Sequence, residues 1–202
     1  MRKNFFDIYI VGVGGQGVLT IADIISSLCF KLGIPVNYFP TKGMAQRGGF
    51  VKAALRLGRE VVGPDIPEHG ADLIISMEES ESLKAVKYLK DGGDFFLYGT
   101  KWEPAAVMLG EAPYPEVDVI AEEIKKVGGN VKFLSDKFRP IYNGKPVREN
   151  IFVLGALIGS TSLGEVFTAD EIIEAIKEKW PKGAEENLYT FGEGLNAKVE
   201  GK

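Results

Sequence analysis

Short unbroken apolar runs alternate along this chain with segments whose apolar positions recur every third or fourth residue. Residues 7–11, Asp-Ile-Tyr-Ile-Val, read as a buried strand. In the following segment Val18, Ile21, Ala22, Ile25, Cys29 and Leu32 fall on one face at helical spacing. Gly33 and Pro35 stop that helix, and residues 35–39 predict a second short strand. The run from Phe50 to Leu57 predicts a third strand. It follows the second too soon for a crossover helix, so antiparallel pairing with a neighbour is expected. Gly58-Arg59-Glu60 predicts the turn of a hairpin leading to Val61-Val62.

Ala71 to Met77 is again continuous and strand-like. The next segment opens with Glu78, Glu79 and Glu81 and closes with Lys84, Lys87 and Lys90, the charge order that suits a helix macrodipole. Asp91-Gly92-Gly93 predicts a turn into a strand over 94–98. A polar stretch with Pro104, Pro113 and Pro115 precedes a helix near 117–127, which Gly128-Gly129 ends before a strand over 131–134. This order predicts a single α/β domain, Rossmann-like and doubly wound, with a mostly parallel sheet, an antiparallel insertion and a helical C-terminal third. Within that last third, residues 149–160 are apolar nearly all round, which suits deep core or a subunit interface. Thr168 predicts the cap of a helix over 169–180, with Glu171 completing a capping box. The chain past about Gly194 is polar and is expected to fray, giving an ordered core of about 5–195 within one domain spanning 1–202.

Composition removes several function classes. A net charge of −4 argues against a general nucleic-acid binder, and no apolar stretch is long enough to span a membrane. Asp7 interrupts the N-terminal segment and no small-residue cleavage site follows it, so the expected location is cytoplasmic. One cysteine and one histidine leave no intramolecular disulfide, no all-cysteine iron–sulfur cluster and no structural zinc site. Metal or cluster chemistry is therefore expected from a partner, and no metal ligand is assigned in this chain.

Two glycine-rich segments carry the candidate chemistry. Gly12-Val13-Gly14-Gly15-Gln16-Gly17 has the G-x-G-x-x-G form directly after a strand and at a helix start. There, glycines permit tight turning and close backbone approach while the helix N–H groups offer an anion site. The plainer reading is a turn that packs helix on strand with no ligand. A dinucleotide site also needs an acid for the ribose at the end of the second strand. The chain instead has Phe39-Pro40-Thr41-Lys42-Gly43-Met44-Ala45-Gln46-Arg47-Gly48-Gly49. Lys42 and Arg47 suit phosphate or carboxylate, Gln46 both donates and accepts, and Gly43, Gly48 and Gly49 allow close backbone approach. A flexible solvated loop is the bland alternative. By the doubly wound rule both segments lie near the carboxyl ends of the strands, in one crevice.

Gly12–Gly17 with Val18-Leu19, together with Lys42-Gly43-Met44-Ala45-Gln46-Arg47-Gly48-Gly49, resembles the beta subunits of indolepyruvate ferredoxin oxidoreductases. More broadly it resembles the gamma domain of the pyruvate and 2-oxoacid ferredoxin oxidoreductases. Asn150 through Gly155-Ala156, and Asn187-Leu188 to Gly192-Glu193-Gly194, agree in type, and the likeness covers about residues 5–195. The resemblance implies a subunit of an enzyme that oxidatively decarboxylates arylpyruvates with coenzyme A to aryl-acetyl-CoA, carbon dioxide and reduced ferredoxin. It implies that thiamine diphosphate, Mg2+ and the iron–sulfur clusters belong to a large alpha subunit, with coenzyme A as co-substrate and ferredoxin reached through the hetero-oligomeric complex. Thr41, Lys42, Gly43, Met44, Gln46, Arg47, Gly48, Gly49 and Asn150 are then candidates for substrate, coenzyme A or subunit contact, with Gly12, Gly14, Gly15, Gln16 and Gly17 as the glycine-rich loop. The pyruvate branch and a free-standing nucleotide-binding protein are the alternatives.

Other residues carry weaker signals. His69 has no nucleophile or metal pattern around it and reads as a loop residue, and Cys29 on the apolar helix face reads as core. Tyr38, Phe39 and Trp102 suit an aryl ligand but also ordinary packing. Glu78 either faces the crevice or serves the start of the helix after it.

Overall fold

In the computed structural model the described residues are 5–42 and 48–202, with Lys42 described in its backbone only. β1 (Phe6–Val13) is buried along its whole length and leads through the glycine-rich turn into α1 (Val18–Lys31). β2 (Val36–Lys42) and β3 (Phe50–Leu57) pair antiparallel, Lys42 opposite Val51, so the segment between them connects a hairpin. β3 also pairs antiparallel with β1 from Phe6↔Leu57 to Val13↔Phe50, as its early arrival predicts. β4 (Ala71–Ser76), the single turn α2 (Glu79–Ser82), β5 (Leu89–Gly99), the short α3 (Ala105–Met108), α4 (Val117–Lys126) and β6 (Asn130–Ser135) continue the winding.

A small hairpin of β7 (Ile141–Tyr142) and β8 (Lys145–Pro146) introduces the helical third: α5 (Glu149–Ser160), α6 (Leu163–Val166), α7 (Ala169–Lys179) and α8 (Ala184–Leu195). Past Gly194, where a frayed tail was expected, the chain returns as β9 (Glu200–Gly201) and pairs antiparallel with β6. The seven-stranded sheet runs β2-β3-β1-β4-β5-β6-β9, with β1, β4, β5 and β6 mutually parallel.

Alternation along β1 separates two cores. Phe6, Ile8 and Ile10 face α1, α5 and α7, whereas Tyr9 and Val11 face the side covered by Ile120, Ala121 and Ile124 of α4. Asp7, at 2% exposure, is the charged residue within this central strand. Arg56 on the neighbouring strand approaches it with Nη2 at 3.0 Å and Nε at 3.3 Å, a fork that compensates the buried carboxylate.

α5 resolves to deep core. Its residues from Asn150 to Ile158 are buried, and it crosses α8 through glycine on both helices. A Cβ on Gly155 would strike the carbonyl of Phe191, one on Gly194 would strike the carbonyl of Phe152, and one on Gly159 would lie 2.5 Å from the carbonyl oxygen of Leu195. The capping box of Thr168 and Glu171 is present at the start of α7.

Three local expectations fail. The helix expected from Glu78 to Lys90 is one turn of α2 followed by a 3-10 turn at Val86–Tyr88. Its charges have tertiary partners instead: Lys87 pairs with Glu68 at 2.9 Å, Lys90 pairs with Asp72, and Tyr88 stacks on Tyr9 with ring centroids 4.6 Å apart. The strand expected from Asp94 begins at Leu89, and Asp91-Gly92-Gly93 forms a register shift between the Ala71↔Leu89 and Leu73↔Asp94 pairs. The hairpin to Val61-Val62 does not form. Both edges of β3 are already taken by β1 and β2, and Val61 is left 91% exposed.

Candidate functional site

Because β1, β4, β5 and β6 run parallel, the turns after Val13, Ser76, Gly99 and Ser135 meet along one edge of the sheet. The glycine-rich turn stands at its centre. Gln16 is buried and its amide is bonded at both ends: Oε1 accepts from the N–H of Val13 at 3.0 Å and Nε2 donates to the carbonyl of Met77 at 2.7 Å. It is a strut between the turn and the end of β4. Gly12 is required beside this strut, since a Cβ there would lie 2.8 Å from Gln16 Oε1 and 2.9 Å from both Met77 and Val18. Gly17 holds a φ of +78° and lies against the Asn150 amide, whose Cγ is 2.8 Å from where a Cβ would stand. Asn150 is itself buried at the start of α5. The exposed part of the turn is therefore the backbone at Gly15.

The second glycine-rich segment is bonded to the first. Gly14 donates its N–H to the carbonyl of Gly49 at 2.8 Å, and its carbonyl accepts from the N–H of Gly48 at 3.3 Å. Sequence reasoning placed both segments in one crevice, and these two backbone hydrogen bonds bring them together. Thr41 is exposed at the far end of β2 and lines a small cavity of about 50 Å3 with Tyr9, Lys52 and Tyr88. Gly43, Met44, Gln46 and Arg47, and the side chain of Lys42, lie outside the described residues.

A second group of residues adjoins this pair, of which the sequence pointed to Glu78 and Trp102 but not to Tyr114. Glu78 at the end of β4 is wholly buried. Its carboxylate accepts from four donors: Ser80 Oγ at 2.8 Å, the N–H of Glu81 at 2.8 Å, the N–H of Trp102 at 3.0 Å, and the Tyr114 hydroxyl. Of the two readings of Glu78 the structure bears out the helix start: it caps α2, and its buried carboxylate binds the loops after β5 and before α4 and does not face the crevice. Burial and then the Glu78 contact push the Tyr114 hydroxyl well above its ordinary pKa. Trp102, so held, lays its indole against Gly48: a Cβ there would be 2.7 Å from Nε1. Tyr114 sits between prolines without periodicity or motif, so nothing in the sequence marks it.

Beyond Glu78 the edge opens into a cleft of about 590 Å3 over the ends of β5 and β6, lined in part by Glu79, Thr100, Lys101, Glu116, Ser135 and Asp136. His69 is a loop residue at a φ of +57°, and Cys29 is fully buried within α1.

This arrangement defines a doubly wound α/β domain whose glycine-rich turn, at the carboxyl edge of the sheet, is bonded to Gly48 and Gly49. Residues 7–197 match the pyruvate ferredoxin/flavodoxin oxidoreductase family, to which the chain belongs. The chain is similar to the indolepyruvate oxidoreductase subunit IorB of Archaeoglobus fulgidus, with 37% identity over 100% of this chain and 98% of the relative. The subunit of the same name from Pyrococcus horikoshii is 35% identical over 96% of each chain. Among solved structures, the pyruvate oxidoreductase subunit PORC of Thermotoga maritima superposes with a TM-score of 0.71 at 18% identity, covering 99% of both chains, and shares the fold. Among the described residues no helix is long and apolar enough to cross a membrane.

Proposed function

We propose that this chain is the small subunit of an indolepyruvate ferredoxin oxidoreductase. In that role it completes the site at which a large subunit oxidatively decarboxylates arylpyruvates with coenzyme A, giving aryl-acetyl-CoA, carbon dioxide and reduced ferredoxin. The observation that carries this reading is the pairing of Gly14 with Gly48 and Gly49. It fastens the base of the Gly-Met-Ala-Gln-Arg-Gly-Gly signature to the glycine-rich turn, at the sheet edge where doubly wound domains meet ligands.

Thiamine diphosphate, Mg2+ and the iron–sulfur clusters fall to the large subunit. Cys29, the one cysteine, is fully buried in the core of α1, and cluster ligation needs several accessible thiolates. Lys42, Gln46 and Arg47 are the groups that would meet the coenzyme A phosphates or the substrate carboxylate. Full-length similarity to subunits named for indolepyruvate favours the arylpyruvate branch.

The test is reconstitution with the large subunit, followed by assay with indolepyruvate, phenylpyruvate and pyruvate in turn. Turnover of the aryl substrates well above that of pyruvate is expected, and the isolated chain should be inert. Preference for pyruvate would move the chain to the pyruvate branch. The Arg47→Ala complex should assemble normally but show a KM for coenzyme A or 2-oxoacid raised at least about tenfold, the scale of a lost charged contact. Unaltered kinetics for both would remove Arg47 from the site.

A further inference from the structure

The cleft over β5 and β6 holds an acid without an adequate partner. Glu79 is 2% exposed, and its Oε2 is buried with no hydrogen-bond partner among the described residues. Lys101 Nζ stands 3.8 Å away on a half-exposed side chain. Thr100 Oγ1 is likewise buried with no hydrogen-bond partner among the described residues. The two segments are fastened together by the Glu79 N–H donating to the Thr100 carbonyl at 3.0 Å. Polar atoms buried in this way are nearly always satisfied in a finished assembly.

The surroundings say which kind of group is missing. Glu116 at the start of α4, Asp118 and Asp136 just past β6 line the same cleft as Glu79. The neighbouring Glu78 has its carboxylate oxygens already taken by four donors. On the basic side are Lys101, Lys137 and Lys202, of which Lys202 is paired with Asp118 at 2.8 Å. Acid exceeds base next to the orphaned oxygen, so an anion is disfavoured and a cation is attracted.

We propose that this cleft is a subunit-docking socket, receiving a basic side chain of guanidinium type from the large subunit against Glu79 and Thr100. A guanidinium presents several donors in a planar fork and is more weakly hydrated than an ammonium, which suits a site with two buried acceptors. The socket opens on the same sheet edge as the paired glycine loops, and the Glu78–Trp102–Tyr114 brace lies between them. Docking there would bring the large subunit to the loop that completes its site. The proposal rests on the reading of this chain as a subunit.

Two isosteric variants separate this role from ordinary packing. Glu79→Gln keeps shape and removes charge, and Thr100→Val removes the orphaned hydroxyl. In the isolated chain at pH 8, Glu79→Gln relieves an uncompensated buried carboxylate, so its melting midpoint should rise by about 2–4 °C. In the complex the same change should weaken association with the large subunit by at least about tenfold, measured by titration calorimetry, because it leaves the partner's charge unpaired. Thr100→Val should be at least as stable as the wild-type chain when isolated and should bind the large subunit more weakly. Gain of stability with loss of affinity supports the socket. Unchanged affinity for both variants overturns it while leaving the subunit reading intact. If the wild-type chain does not bind the large subunit, both fail. An effect confined to self-association of this chain also overturns the socket.

Discussion

Individual side chains along the sheet edge divide into struts and open groups, and burial decides which is which. Gln16 and Asn150 have polar chemistry that suits ligands, yet both are buried against the turn, and Gln16 has both ends of its amide bonded. Glu79 looks in sequence like the first-turn acid of a helix, yet it is buried without a hydrogen-bond partner for Oε2 among the described residues. Burial raises its pKa, an effect that Lys101 opposes and Glu78, Asp136 and Glu116 reinforce. Burial likewise raises Glu149, against an opposing Arg139 and alongside Asp136. A carboxyl whose folded pKa lies above its unfolded value binds its proton more tightly when folded. These two groups therefore support the fold below the ordinary glutamate range, and that support is lost as pH rises through their raised folded values. Urea unfolding of the isolated chain should show this decline with pH, and the Glu79→Gln variant should show a shallower one. A slope identical in the two proteins would mean that Glu79 titrates alike folded and unfolded.

At the scale of elements, close backbone approach explains features that composition leaves unread. Gly155 and Gly159 lie four residues apart on α5 and meet α8 at Phe191 and Leu195, with Gly194 returning the contact at Phe152. Gly155 and Gly194 fall in stretches that carried the family resemblance, and with Gly159 they set how near two buried helices can lie. Gly194→Ala would place a methyl against a backbone carbonyl that cannot rotate away. Its cost is expected near or above the upper end of the usual overpacking range of about 1–3 kcal/mol. Chemical denaturation would check it, with Gly192→Ala, a position open to space on the same helix, as the control. α5 itself shows the opposite case, being legible from sequence to its boundaries because apolar residues on every face leave only a buried position. The segment after β4 was misread for a related reason. Acids before lysines suit a helix, but Tyr88 on Tyr9, Lys87 on Glu68 and Lys90 on Asp72 compete for the same residues. Tertiary contacts of that kind outweigh a few tenths of a kcal/mol from i,i+4 pairs and the macrodipole.

For the molecule as a whole, one inserted strand changes what the fold can bind. β3 lies between β1 and β2, so the end of β2 is two inter-strand steps from the glycine-rich turn, about 10 Å away. A ribose acid at the end of β2 would stand out of reach, and the chain has none there. Titration of the isolated chain with NAD should accordingly give no binding, and a micromolar dissociation constant would restore the dinucleotide reading. The sequence by itself determined the order of the main strands, the mostly parallel sheet, the antiparallel character of β3, the capped α7 and the position of the glycine-rich turn after β1. Each of these follows from periodicity, glycine and proline placement, or chain length, which act between near neighbours. Only the tertiary structure decided that Gly14 bonds to Gly48 and Gly49, that Glu78 gathers Trp102 and Tyr114, that β9 closes the sheet, and that Glu79 is buried beside an open cleft. Those contacts join residues far apart in sequence, where no local preference acts and only packing determines which groups meet.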